Sequence, residues 1–139
     1  MEQVHATTID LDGQGVMLRG PSASGKSDLG LRLVDAGARL VADDRTDLSL
    51  TGNAVLASAP KELAGRMEVR GLGIVAVAAV AETRLALIVD LVDAGDVERL
   101  PQPETVEVLG VALPLVRLSA FEASAPAKVR AALKHHAPL

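Results

Sequence analysis

One short run constrains the fold more than any other part of the chain. Gly20-Pro-Ser-Ala-Ser-Gly-Lys-Ser27 fits G-x-x-x-x-G-K-[ST], the pattern of phosphate-binding loops. Apolar residues 16–18 precede the run and a helix-like segment, 28–34, follows it. This is the strand–loop–helix context that the pattern requires, and it argues against the alternative of a Gly/Ser-rich turn that fits by chance. We therefore predict a strand, a phosphate-binding loop and a helix over 16–34.

The chemistry of this loop follows from its residue types. Glycines let successive backbone N–H groups point into one concavity, and the helix adds the positive end of its dipole. Lys26 can reach the terminal phosphates of a nucleotide, and the Ser27 hydroxyl can hold Mg²⁺. The predicted nucleotide-binding residues are Gly20, Pro21, Ser22, Ala23, Ser24, Gly25, Lys26 and Ser27. The loop alone does not indicate which group receives the phosphate.

Composition limits the class of protein. The length of 139 residues suits a single domain over 1–139, and the core must be aliphatic because Phe121 is the only aromatic residue. A net charge of −4 favours neither a nucleic-acid-binding surface nor docking on anionic lipid. The chain has no cysteine and no recognisable targeting segment, and its longest apolar run, 74–81, is too short to span a bilayer. We expect a cytoplasmic protein in which 74–81 is a buried strand or a short helix.

The hydrophobic pattern predicts more strands than helices. The predicted strands are 4–11, 16–19, 39–42, 66–70 and a central one at 85–91, with hairpins over 47–57 and 105–116 and helices from Ser27 to Gly37 and over 126–135. Strands are not followed regularly by helices, so a doubly wound parallel sheet is not expected. The predicted fold class is α/β, with a mixed β-sheet and flanking helices.

Two adjacent carboxylates, Asp43 and Asp44, follow directly after the predicted strand 39–42. In nucleotide-binding sheets, a carboxylate at the end of such a strand faces the phosphate loop. Phosphoryl transfer needs a group that positions or deprotonates the acceptor, together with ligands for the metal. A solvated turn is the alternative, but the strand-end position favours a role in the site.

A second unusual run is Met67-Glu-Val-Arg-Gly-Leu-Gly-Ile74. Glu68 and Arg70 are predicted to lie on one face of a strand, while Gly71 and Gly73 permit unusual backbone conformations. Glu68 could complete a Mg²⁺ shell beside Ser27, because Mg²⁺ prefers hard oxygen ligands. By composition alone, this run fits an ordinary solvent-exposed face better. The same holds for two isolated residues, His5 and Arg99.

In this order, the segments resemble the C-terminal catalytic domain of HPr kinase/phosphorylase, the bacterial enzyme that modifies a serine of the phosphocarrier HPr. The resemblance covers most of the chain: Val4-His5, residues 13–18, the loop, Leu40-Val-Ala-Asp-Asp44, and 67–74, which matches the family's second signature. It implies a phosphoenolpyruvate-carboxykinase-like fold with a phosphate loop. It also implies ATP and Mg²⁺ as cofactors and an HPr-like phosphocarrier as partner.

The resemblance also implies a role for each matching residue. Ser27 and Glu68 would hold Mg²⁺, and Asp44 would take the proton from the acceptor serine or donate one in the reverse reaction. His5 would lie near Asp44, and Arg70 with its neighbouring glycines would serve both directions. Arg99 is similar to a later active-site arginine of the family. The predicted catalytic residues are thus His5, Lys26, Asp44 and Arg99, and the supporting residues are Asp43, Arg70, Gly71 and Gly73.

The chain departs from the family's usual pattern in several places, among them Asp28, where the family often has glutamate. Because His5 lies almost at the start of the sequence, we expect the family's usual N-terminal domain to be absent, as in the short form found in alphaproteobacteria. Ala23 stands where the family usually has glycine. The family's Pro-Val-Arg-Pro-Gly-Arg-Asn segment, tied to dephosphorylation and to subunit contacts, is not recognisable in 114–120. The sequence therefore leaves the phosphorylase activity and the family's homo-hexamer open.

We predict a serine kinase that acts on an HPr-like phosphocarrier. A small-molecule kinase or a nucleotide hydrolase on the same scaffold is the alternative among enzymes. A non-catalytic module that senses ATP and binds a phosphocarrier is the alternative of another class. The joint presence of Lys26, Ser27, Asp44 and Glu68 argues against that module, because a pure binder needs no base beside metal ligands.

Overall fold

The computed structural model describes residues 1–136, which form eleven strands and two α-helices. The strands are β1 (Glu2–His5), β2 (Thr7–Leu11), β3 (Gln14–Arg19), β4 (Arg39–Ala42), β5 (Arg45–Thr51), β6 (Ala54–Ser58), β7 (Arg66–Val69), β8 (Gly73–Ala76), β9 (Glu82–Leu91), β10 (Glu104–Val108) and β11 (Val111–Leu118). The helices are α1 (Lys26–Asp35) and α2 (Ala125–His136), and short 3-10 turns lie at Lys61–Leu63 and Ala94–Asp96. The predicted α/β class is confirmed.

Nine of the strands belong to one mixed sheet in the order β1-β5-β6-β9-β3-β2-β4, with β11 joining its hairpin partner β10 to β9. Strand β9 pairs antiparallel with β6 near its start and parallel with β11 near its end, while β3 runs parallel along its other edge. The prediction of a central strand at 85–91 is confirmed. Since β3, β9 and β11 are parallel, their carboxyl ends meet at one edge, where the phosphate loop begins.

The core is aliphatic, as the composition predicts. Leu87, Ile88 and Val89 in the middle of β9 are fully buried, which is typical of a strand covered on both faces. On one face, Leu29 and Leu33 of α1 pack in a cluster that includes residues of α2. A second cluster lies under β5 and β6. Neither α1 nor α2 has the length and apolar character of a membrane-crossing helix.

The strand predicted over 4–11 is wrong in one respect, because it is broken at Ala6. Strand β1 pairs with β5, whereas β2 pairs with β3 and β4. The adjacent segment between β4 and β5 bends at the same level, where the Ala6 N–H donates to the carbonyl of Asp44 at 3.0 Å. Polarity alternation does not report such a bend, because both halves keep the same period of two.

The expectation that 74–81 is a buried strand or short helix is also wrong. Within residues 1–136, strand β8, which ends at Ala76, pairs only with β7 and has no strand on its outer side, and Ile74 is 67% exposed. The following residues run beside β4, at the end of the main sheet: the Leu40 N–H donates to Ala78 and the Val80 N–H donates to Leu40. An apolar run at a sheet edge and one in the core look alike in sequence.

Candidate active site

The phosphate loop joins the end of β3 to the first turn of α1. Its backbone turns through left-handed conformations at Ala23 (φ +66°) and Gly25 (φ +95°), and the Ser24 N–H donates to the Pro21 carbonyl at 3.1 Å. A Cβ on Gly25 would approach the Cβ of Ala120 to 2.6 Å, so this position requires glycine for space as well as for backbone angle. The strand–loop–helix prediction is confirmed.

The charged end of Lys26 is held at this loop. Its ammonium Nζ donates to the carbonyl oxygens of Gly20 at 2.6 Å and of Pro21 at 3.1 Å. The adjacent start of α1 contributes backbone N–H groups that have no partner within the helix and the positive end of the helix dipole. The loop therefore presents one cationic side chain and several backbone donors to the same space, an arrangement that suits an anion such as a phosphate.

The carboxylate of Asp43 connects three parts of the site. It is only 7% exposed, and it accepts hydrogen bonds from the Ser27 hydroxyl at 2.6 Å, the Thr7 hydroxyl at 3.1 Å and the Glu68 N–H at 3.3 Å. A buried carboxylate needs such donors, since burial without them is costly. Asp43 was predicted only as a supporting residue, and the structure makes it the point where β2, α1 and β7 are tied together.

Asp44 occupies the bend between β4 and β5 with an unusual backbone. Its φ is +69°, a conformation that costs a non-glycine residue about 1–2 kcal/mol. Its N–H donates to the Thr7 hydroxyl at 3.3 Å, and its carbonyl accepts the Ala6 N–H. The backbone is thus fixed from two sides while the residue is exposed. Retained strain of this kind is typical of functional sites.

Two cavities meet at this bend. A cavity of about 750 Å³ lies in front of the loop and is lined by the loop and α1 on one side and by the β7–β8 turn on the other. A second cavity of about 320 Å³ extends past the 3-10 turn at Lys61–Leu63. Ser27, Asp44 and Glu68 line both cavities. These three side chains therefore lie where a ligand in one cavity would meet a ligand in the other.

The residues present fit a magnesium ion that is shared with phosphates. Across residues 1–136, no three side chains of the His, Cys, Asp or Glu type converge into a ready-made metal cage. Mg²⁺ does not need one, because it commonly takes one or two protein oxygens and fills the remaining positions with phosphate and water. The Ser27 hydroxyl donates its hydrogen to Asp43, which leaves its lone pairs for a cation, and Glu68 lies on the same cavity wall.

The structure brings together most, but not all, of the predicted site residues. Arg70, Gly71 and Gly73 line the larger cavity with the loop, although β7 ends at Val69, so Arg70 lies in the turn rather than on the strand face with Glu68. His5 pairs with Arg45 across β1 and β5, and its side chain is exposed.

Arg99 is exposed in the segment between Asp96 and β10. Neither His5 nor Arg99 is among the residues that line the two cavities described above. Their roles in the site stay predictions.

Sequence reasoning missed Thr7. Its side chain is fully buried, and its hydroxyl donates to Asp43 while accepting the N–H of Asp44. A single hydroxyl therefore sets the relative position of the two acidic residues. Thr7 begins the strand Thr7-Thr8-Ile9-Asp10-Leu11, whose mixed polarity gives no signal for such a role.

The C-terminal segment contributes one residue to the larger cavity. Residues 114–118 lie within β11. Arg117 forms an ion pair with Glu104 of β10. The hydrogen bond to the Glu104 carboxylate raises the pKa of the Arg117 guanidinium. Ser119 and Ala120 are buried. Phe121, which follows, lines the larger cavity. The buried end of the divergent segment 114–120 is thus followed directly by a residue of the cavity wall.

The fold and the site define the chain as an α/β domain with a phosphate loop. The family described as HPr Serine kinase C-terminal domain matches residues 1–135, and the chain belongs to this family. The resemblance seen in the sequence is thereby confirmed.

Curated relatives and a solved structure agree with this membership. The chain is 39% identical over 129 residues to an HPr kinase/phosphorylase of Prosthecochloris aestuarii, an overlap of 84% of this chain and 38% of that protein. It is 37% identical over 127 residues to an HPr kinase/phosphorylase of Lactobacillus acidophilus, with 83% and 39% covered. The structure of the Hpr(Ser) kinase/phosphatase from Coxiella burnetii matches with a TM-score of 0.86 at 27% identity, over 98% of this chain and 96% of that chain. The chain spans less than half the length of these curated relatives.

Proposed function

We propose that the chain is the catalytic domain of an ATP-dependent serine kinase that phosphorylates an HPr-like phosphocarrier. The observation that carries the proposal is the border shared by the two cavities, where Asp44 and Glu68 lie beside the phosphate loop. One cavity suits the donor nucleotide, because the loop lines it. The other leads to the same carboxylates from the far side, where an acceptor serine would enter.

On the donor side, the backbone N–H groups of the loop would bind the nucleotide phosphates, and Lys26 would neutralise charge on the transferred group. Ser27 and Glu68 would hold Mg²⁺, and Asp43 orients the Ser27 hydroxyl for this role. When bound, the ion would neutralise negative charge that develops on the phosphates. Positioning and charge neutralisation supply most of the catalysis in phosphoryl transfer.

On the acceptor side, Asp44 would orient the serine hydroxyl and take its proton as the hydroxyl oxygen bonds to the phosphorus and the bond to the leaving nucleotide breaks. A general base contributes roughly 10²–10⁴-fold to such a step. The backbone of Asp44 is fixed by Thr7 and Ala6, so the carboxylate needs little reorganisation before transfer.

The kinase direction is the one that we propose. The ion pair between Arg117 and Glu104 supports it, because this arginine of the divergent segment is engaged away from the cavities. The proposal further comprises a cytoplasmic location, one domain over 1–139, and no nucleic-acid or membrane partner, in keeping with the net charge of −4.

The decisive experiment follows the label from γ-labelled ATP in the presence of purified HPr from the same organism. Label on a serine of HPr supports the proposal, whereas label found only in inorganic phosphate indicates a nucleotide hydrolase. A parallel reaction with cell extract in place of HPr tests the other alternative, because label on a small molecule there indicates a small-molecule kinase. The reaction run backwards, from phosphorylated HPr and inorganic phosphate, tests the phosphorylase direction in the same preparation.

A further inference from the structure

The only aromatic residue of the chain is not used in the core. Phe121 is 69% exposed, while the buried clusters consist of aliphatic residues and methionine. Exposure of a phenyl ring to water is unfavourable, and its transfer to an apolar contact is favourable. A ring in this position is therefore suited to a contact that forms with a ligand.

The position of the ring relates it to the phosphate loop. Its atoms Cζ and Cε1 lie 3.1 and 3.2 Å from the point that a Cβ on Gly25 would occupy, so the ring packs directly over the loop backbone at the start of α1. It lines the 750 Å³ cavity together with Lys26 and Ser27. It does not line the 320 Å³ cavity on the far side of Asp44.

The backbone that carries this ring is fixed. The Arg32 guanidinium, from α1, donates to the carbonyl of Ala120 and, at 3.2 Å, to the carbonyl of Glu122, which are the residues on either side of Phe121. Glu122 also forms an ion pair with Lys128 of α2 at 2.8 Å. An exposed aromatic side chain on an ordered backbone loses little conformational freedom when it binds.

We propose that Phe121 is the surface on which the base of the nucleotide stacks. The inference rests on the proposed function, since it requires a nucleotide in the larger cavity. The loop's N–H groups bind only phosphates, so the base must lie elsewhere in that cavity, and Phe121 offers a flat apolar face beside the loop. Because every base has a π-face, stacking alone discriminates weakly between bases. We therefore expect ATP and GTP to bind with similar affinity.

The test compares two ligands that share a phosphate chain but differ in the base. Binding of a non-hydrolysable ATP analogue and of inorganic tripolyphosphate, each with Mg²⁺, is measured by calorimetry for the wild type and for Phe121→Ala. Loss of a base–aromatic stack predicts that the analogue binds about tenfold more weakly. Tripolyphosphate should bind unchanged, and Phe121→Trp should restore the affinity for the analogue. Leu100→Ala is the matched control, because Leu100 is 82% exposed and lines neither cavity.

Other outcomes would overturn the inference. Equal weakening of both ligands would mean that Phe121 only supports the shape of the loop. Unchanged binding of both ligands would mean that the ring does not contact the nucleotide. A higher KM for HPr without a change in nucleotide affinity would mean that the ring contacts the acceptor instead. Each of these results leaves the proposed function standing. A wild-type protein that binds neither ligand would instead refute the proposed function, and the inference with it.

Discussion

Two regions supply the acidic groups of the site, and they are built differently. The first is the bend of the main sheet at Asp43 and Asp44, which we call the corner. The second is the hairpin of β7 and β8, which carries Glu68. The corner lies inside a network of Thr7, Ser27 and Ala6, whereas the hairpin is a separate two-stranded sheet whose turn is exposed to solvent.

The two regions also differ in which residue types adopt a positive φ. In the hairpin turn, the positive φ values belong to glycines, Gly71 at +92° and Gly73 at +97°. At the corner, the residue with positive φ is Asp44, which bears a side chain. Glycine adopts this conformation without strain, so the side chain retained at Asp44 supports the proposed role of its carboxylate. The corner thus fixes the backbone of Asp44 from two sides, and the turn of the hairpin forms the opposite wall of the larger cavity.

The largest expected effect comes from the corner. Asp44→Asn keeps the shape of the side chain but removes the base, so we expect transfer to HPr to fall roughly 10²–10⁴-fold while nucleotide affinity is retained. The rate is measured with labelled ATP and HPr, and the affinity by calorimetry. Asp96→Asn, at an exposed 3-10 turn, is the control with an unchanged rate. An Asp44→Asn protein with full activity would remove Asp44 from the mechanism.

We expect the attachment of the hairpin to the core, and with it the stability of the protein, to depend on one buried side chain. Met67 is 1% exposed and packs in the core cluster under α1, whereas Leu72 in the turn is 76% exposed. We expect Met67→Ala to lower the free energy of unfolding by about 2–5 kcal/mol. Leu72→Ala should change it by less than about 0.5 kcal/mol. Denaturant titration of both variants measures the contrast, and equal values would mean that the hairpin is not anchored through Met67.

The link between the two acidic residues of the corner can be removed with little change in shape. Thr7→Val replaces the hydroxyl by a methyl group, which deprives Asp43 of one donor and the Asp44 N–H of its acceptor. We expect a loss of about 1–3 kcal/mol in unfolding free energy, together with a lower kcat. Thr83→Val is the matched control, since the Thr83 hydroxyl donates to Asp10 at 2.6 Å away from the site.

The two threonine variants separate stability from catalysis. Both should lose stability by similar amounts, because each removes a buried hydroxyl from a carboxylate. Only Thr7→Val should lower kcat in the folded protein at saturating nucleotide. A kcat that falls equally in both variants, or in neither, would contradict a positioning role for Thr7.

The sequence was sufficient for those features that have a local signal. The phosphate loop is read from residue types at fixed spacing, and the central strand from its unbroken apolar run. The break at Ala6 and the exposure of 74–81 could not be read in this way. Both features depend on which strand of the sheet is the neighbour of the segment, and the local polarity pattern does not indicate how distant segments pair.

In the candidate site too, residues with a local sequence signal could be predicted, and residues placed by contacts between distant segments could not. Asp43 and Asp44 were found because they follow a strand directly, and Glu68 was found through a signature. Thr7 acts through hydrogen bonds to residues 36 and 37 positions away, and Phe121 through proximity to Gly25. Such contacts are made by the tertiary fold, so the sequence around Thr7 and around Phe121 does not indicate them.

The smallest expected effect tests whether the strain at the corner is special. Ala23 in the loop has a φ of +66°, close to that of Asp44, but its methyl side chain has no chemistry to offer. Ala23→Gly should therefore stabilise the fold by roughly 0.5–1 kcal/mol, because relief of the left-handed strain exceeds the entropy that glycine loses on folding. The same exchange at Ala131, exposed in the middle of α2, should destabilise it by about 1 kcal/mol.

Asp44→Gly completes the comparison, since it relieves the same strain but should abolish transfer. If Ala23→Gly instead destabilised the protein as much as Ala131→Gly does, the left-handed angle at Ala23 would carry no strain. The retained side chain at Asp44 would then no longer argue for function, and its role would rest on its rate effect alone.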